Sequence, residues 1–185
     1  LLDAAAAPDS PGEAFFERAD DLRELFKFEF YLPRRAHYRS EIEARVRDRF
    51  EDWQDVIRRD ERSVRAELSA VQPLVAHGVL RSFVDAYRVV ASVLTTIGAD
   101  PVDDQSDFLS QCLKTGKTQL LQGRVFSAES ISKSLYETGL KLADYRGLLA
   151  AGQAEARREF HEELRTIKRR LDDVLAITLE QADRL

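Results

Sequence analysis

The chain has 185 residues, 44% of them hydrophobic and 33% charged, with a formal net charge of −5. That length can bury one sizeable core, and the negative balance excludes a general nucleic-acid binder, which needs a positive surface to displace counterions. One cysteine, Cys112, excludes an internal disulfide and a cysteine-based metal cage.

Few glycines and prolines, with apolar residues recurring every three or four positions, predict helices throughout. Ala7 to Gly12 reads as a turn or frayed lead-in. Glu13 to about Lys27 reads as a helix with Phe15, Leu22, Leu25 and Phe26 on one side. The run Phe26-Lys27-Phe28-Glu29-Phe30-Tyr31-Leu32-Pro33-Arg34-Arg35 then alternates aromatics with charges, a two-residue period between helical ones. That conflict points to a helix end clamped by packing, or to a surface that meets something apolar. Pro33 ends the helix. Phe26, Phe28, Phe30, Tyr31, Arg34 and Arg35 are therefore the candidate docking residues. The choice lies between a clasp onto another domain, the favoured reading, and a lipid headgroup boundary.

A long amphipathic helix is predicted from Ala36 to Asp60, striped by Tyr38, Ile42, Val46, Phe50, Trp53, Val56 and Ile57. Ser63 opens the next helix, and Pro73 and Gly78 mark a bend. Leu80 to Ile97 is apolar around most of its circumference and should be central. Shorter helices follow, from Ser106 to Leu121 and from a hydroxyl cap at Ser127 to Tyr145. The last runs from Gln153 to the end, with Phe160, Leu164, Ile167, Leu171, Val174 and Thr178 spaced four, three, four, three, four. That stripe suits packing on its own domain, or a coiled coil between two copies.

The fold class is therefore all-α: a bundle of about six to seven helices with a long C-terminal amphipathic helix. Residues 1–12 form a lead-in, 13–149 the bundle and 150–185 the terminal helix, packed on the bundle or on a partner. No segment supplies the about 20 mainly apolar residues that a membrane-spanning helix needs. The chain contains no methionine and opens Leu1-Leu2, which suggests an internal or C-terminal piece of a longer protein, with a cleaved precursor as the alternative.

Chemical motifs are sparse. Gly116-Lys117-Thr118 resembles the tail of a phosphate-binding loop, but Gln111 stands where the earlier glycine belongs and the context is helical. His37, His77 and His161 lack metal-ligand spacing, so no metal and no cofactor is expected. Cys112 reads as a buried, inert thiol. The mixed-sign runs Glu41 to Asp52 and Arg157 to Arg170 read as solvated helix faces.

Four stretches occur in an order that resembles a known family. They are Leu25-Phe26-Lys27-Phe28-Glu29-Phe30-Tyr31-Leu32, the segment Leu74 to Tyr87, the segment Gly116 to Arg124, and Ser127-Ala128-Glu129-Ser130-Ile131-Ser132. Together they resemble the C-terminal region of bacterial membrane glycerol-3-phosphate acyltransferases, actinobacterial members above all. The resemblance implies a parent enzyme that moves an acyl group from acyl-CoA or acyl carrier protein to glycerol 3-phosphate, giving lysophosphatidate, the first step toward phospholipids. It implies a catalytic domain in the same polypeptide and a peripheral place on the cytoplasmic face of the cell membrane. Family catalysis uses an HxxxxD motif, in which histidine takes the hydroxyl proton and aspartate orients the imidazole. Here the fifth residues after His37, His77 and His161 are Ile42, Ser82 and Thr166. No catalytic residue carries over, so the chain is expected to be noncatalytic. The competing classes are a free-standing helical adaptor and the ligand-binding domain of a transcription regulator. The latter lacks a basic DNA-reading helix near its start.

Overall fold

A computed structural model describes residues 1–7, 9–70 and 76–182. Every regular element among them is helical. Helices α1 (Leu2–Ala5) and α4 (Trp53–Val56) are single turns. The longer ones are α2 (Pro11–Leu25), α3 (Arg35–Arg47), α5 (Glu61–Ala70), α6 (Ala76–Thr96), α7 (Gln105–Leu121), α8 (Lys133–Tyr145) and α9 (Ala154–Ala182). Among the described residues, seven longer helices, the terminal one of 29 residues, match the all-α expectation. The chain divides into two compact units, residues 1–74 with 176–185, and residues 75–175.

In the first unit, Ala4, Phe15, Trp53 and Ile57 form a buried cluster, flanked by Leu1, Phe16, Ile42, Val46 and Phe50. The Phe15 and Trp53 rings lie 4.8 Å apart. Pro11 opens α2, where its missing N–H costs nothing. The continuous helix expected from Ala36 to Asp60 does not form. It stops at Arg47, and a turn closed by Phe50 N donating to Val46 O at 2.8 Å leads into α4. The turn lets Trp53 and Ile57 reach Phe15, and the apolar spacing carries across it, which hid the break from the sequence. Helix α5 begins two residues before Ser63. The Asp60 carboxylate caps it, accepting from Ser63 N at 3.0 Å and from the Ser63 hydroxyl at 2.7 Å.

In the second unit α6 is central, as its composition predicts. Val84, Ala86, Tyr87, Val89, Val90, Ala91, Val93 and Leu94 are all buried. The expected bend is not at Gly78, which lies inside α6, and Pro73 lies outside the described residues. The Asp104 carboxylate caps α7 by accepting from Ser106 N and Asp107 N at 2.8 and 3.1 Å, worth about 1 kcal/mol. Gly123 and Gly147 end α7 and α8 with φ of 68° and 74°. At each end the next residue's N–H folds back: Arg124 N to Gln119 O at 2.8 Å, and Leu148 N to Ala143 O at 2.9 Å. Only glycine enters that left-handed region freely. The hydroxyl cap expected at Ser127 is absent. Ala128–Ser130 is a 3-10 turn, and α8 starts only at Lys133. Helix α9 belongs to this unit as far as Leu175.

Candidate docking surface

The aromatic run forms the turn between α2 and α3. Leu25 and Phe26 are buried, and Glu29 N and Phe30 N both donate to Phe26 O at 3.0 Å, which coils the backbone once more before it extends. Phe30 meets the Phe26 ring edge-on at 5.9 Å but keeps 36% of its surface exposed. Tyr31 is fully exposed. The Lys27 ammonium lies 5.3 Å from the Phe28 ring centre. Burying one ring and projecting its neighbours is the outcome of the two-residue period.

The turn is braced from both sides. Arg23 Nε donates to Pro33 O at 3.1 Å. The buried Asp20 carboxylate accepts from Arg35 Nε at 2.7 Å and from Arg39 Nε at 2.8 Å. Burial alone would raise the Asp20 pKa, but the hydrogen bonds from Arg39 and Arg35, with their charges, outweigh it and hold the carboxyl below its usual range. Of the six candidate residues, then, Phe26 belongs to the core, Phe28 is half-buried, and Arg35 reaches back to Asp20. Phe30, Tyr31 and Arg34 face outward, and the Arg34 side chain has no partner among the described residues. The sequence reading missed Asp20, whose signal was an acid four residues after Phe16 on the buried side of α2.

Two further buried charges were not foreseen. Asp85 on α6 pairs with Arg88 at 2.9 Å and accepts from Phe126 N at 2.9 Å. Arg157, assigned from sequence to a solvated face, is instead completely buried. Its guanidinium donates to Leu148 O at 2.8 Å, Gly98 O at 2.7 Å, Asp100 O at 2.8 Å and Ala150 O at 3.1 Å. It thereby ties the α6–α7 loop to the α8–α9 loop. Burial lowers its pKa, opposed by the Asp100 charge.

The groups able to do chemistry are dispersed. Burial pushes the Cys112 thiol up to about 12. His37 is exposed beside Glu41 at 3.1 Å. His161, half-buried on α9, has its pKa lowered by burial and then by the charges of Arg88 and Arg165. Gly116 lies buried within α7 against the Tyr136 hydroxyl and Lys117 and Thr118 are exposed on the helix, so the tripeptide is not a phosphate cradle.

A family model described as the glycerol-3-phosphate acyltransferase C-terminal region matches residues 4–152. The chain belongs to that family. Mycobacterial proteins provisionally named acyltransferase plsB1, from Mycobacterium bovis and from two strains of Mycobacterium tuberculosis, are each 34% identical over 173 residues. Those alignments take in 89% of this chain and 27% of each relative, so the chain spans about a quarter of the relatives' length. No solved structure matches the chain. Among the described residues, no helix is long and apolar enough to cross a membrane.

Proposed function

We propose that the chain is the noncatalytic helical portion of a glycerol-3-phosphate 1-O-acyltransferase. The parent would transfer an acyl group from acyl-CoA or acyl carrier protein to the first hydroxyl of glycerol 3-phosphate, at the start of phospholipid synthesis. The observation that carries this reading is the match over residues 4–152 in a chain whose histidines all lack the aspartate of HxxxxD. The catalytic domain would lie elsewhere in the same polypeptide, and the enzyme would sit peripherally on the cytoplasmic face of the membrane.

On this reading the α2–α3 turn is a docking surface for the catalytic domain. Phe30 and Tyr31 supply apolar area, Arg34 supplies charge, and Phe26, Phe28 and Arg35 hold the turn in shape. A braced, exposed aromatic pair loses little entropy on docking, which favours a specific contact. The test has two arms. The 185 residues alone should produce no lysophosphatidate; turnover by them would overturn the noncatalytic reading. In the full-length polypeptide, Phe30→Ser with Tyr31→Ser should lower acyltransferase activity and make the junction to the catalytic domain more sensitive to protease. Unchanged activity and proteolysis would remove the docking role.

A further inference from the structure

A second surface, in the other compact unit, lies at the C-terminal end of α7. From Phe108 to Ala128 the sequence carries no acidic residue and three cations, Lys114, Lys117 and Arg124, in a chain that is acidic as a whole. Lys114, Lys117 and Leu121 are spaced three and four apart and so share one face of α7, over about 10 Å of helix. All three cations are exposed, and none has a side-chain partner among the described residues. Leu121 is 89% exposed, and Phe126, five residues further along the chain, is 65% exposed.

The segment presenting Phe126 is fixed from beneath. The buried Asp85 carboxylate accepts from Phe126 N at 2.9 Å, and Arg88 donates to Arg124 O at 3.2 Å. The Arg81 guanidinium lies 4.1 Å from the Phe126 ring centre, itself paired with Asp172 at 2.8 Å. Two arginines and a buried aspartate thus fix the segment that carries this largely exposed ring.

We propose that the C-terminal end of α7, with Lys114, Lys117 and Leu121 on the helix and Arg124 and Phe126 just beyond it, rests on an anionic lipid bilayer, with the two apolar side chains entering the headgroup layer and the three cations facing lipid phosphates. The proposal deepens the peripheral-membrane reading above and rests on it. Charge complementarity selects the partner, because unpaired cations with no acid among them gain from a negative surface. Protruding apolar side chains favour a bilayer over an acidic protein, since a bilayer accepts them without a matching pocket.

The test is co-sedimentation of the full-length polypeptide with vesicles of phosphatidylcholine containing phosphatidylglycerol, against vesicles of phosphatidylcholine alone. Binding should require the anionic lipid and weaken with salt. The triple variant Lys114→Gln, Lys117→Gln, Arg124→Gln should bind roughly a hundredfold more weakly. Leu121→Ser with Phe126→Ser should weaken binding by about tenfold or more while keeping the salt dependence. All five side chains are exposed, so an unchanged melting temperature serves as the folding control. If the unaltered protein binds neither vesicle, or binds an acidic protein in their place, the peripheral reading falls and this proposal with it. If it binds anionic vesicles and the variants bind equally well, the membrane reading stands and this surface is wrong.

Discussion

The Tyr136 hydroxyl on α8 lies so close to Gly116 on α7 that a Cβ at position 116 would stand 2.1 Å from it. Gly116 sits in mid-helix because the two helices meet there. The hydroxyl itself is buried and has no hydrogen-bond partner among the described residues.

Gly116→Ala is accordingly expected to destabilise the protein by about 1–2 kcal/mol, the overpacking cost exceeding the gain in helix propensity. Tyr136→Phe alone should be near neutral, because it removes a buried group that makes no bond. Combined with Gly116→Ala it should recover much of the loss. Urea unfolding of the two single variants and the double variant measures the coupling, and strict additivity would contradict the contact.

Arg157→Gln should cost about 3 kcal/mol or more, since four carbonyls of two loops lose the buried guanidinium that they share. Arg157→Lys should not restore stability, because an ammonium cannot reproduce the planar fork that reaches all four oxygens. Thermal unfolding reads both, and a lysine variant as stable as the original protein would refute the fork geometry.

Asp20 links stability to acid. Its folded-state pKa lies below the unfolded value of about 3.9, so its contribution is complete above that pH and is lost as pH falls toward the folded value. Asp20→Asn should therefore be destabilising at neutral pH, with the gap from the unaltered protein closing below about pH 4. Unfolding free energies across that range would show it, and a gap constant with pH would refute the pairing with Arg35 and Arg39.

Cys112 should resist thiol reagents at pH 8 in the folded protein and react at once in denaturant, since it is buried and its thiol is pushed up to about 12. Rapid labelling of native protein would show that α7 opens locally.

Much of the fold was legible because its signals are local. Gly123 and Gly147 end helices because of their own backbone freedom, and the apolar circumference of α6 announces a central position. The break after Arg47 was not legible, because the apolar spacing through Phe50 and Trp53 is the same whether the chain continues as a helix or turns back. The candidate docking residues were legible as a group through their broken period, but which of them projects was not. Phe26 and Phe30 are chemically alike, and only packing separates the buried ring from the exposed one.

By itself the sequence determined the all-helical class, the helix ends marked by glycine, the missing HxxxxD and the resemblance to one acyltransferase family. Those depend on residue type and short spacing alone. The tertiary structure alone decided that Arg157 is interior, that Asp20 braces the aromatic turn, and that Asp85 fixes the segment carrying Phe126. Each involves a charge whose burial is tolerable only beside partners supplied by distant parts of the chain: Gly98 and Leu148 for Arg157, Arg35 and Arg39 for Asp20, Phe126 N for Asp85. A sequence shows the charge, whereas the partners that offset its desolvation exist only once the chain has folded.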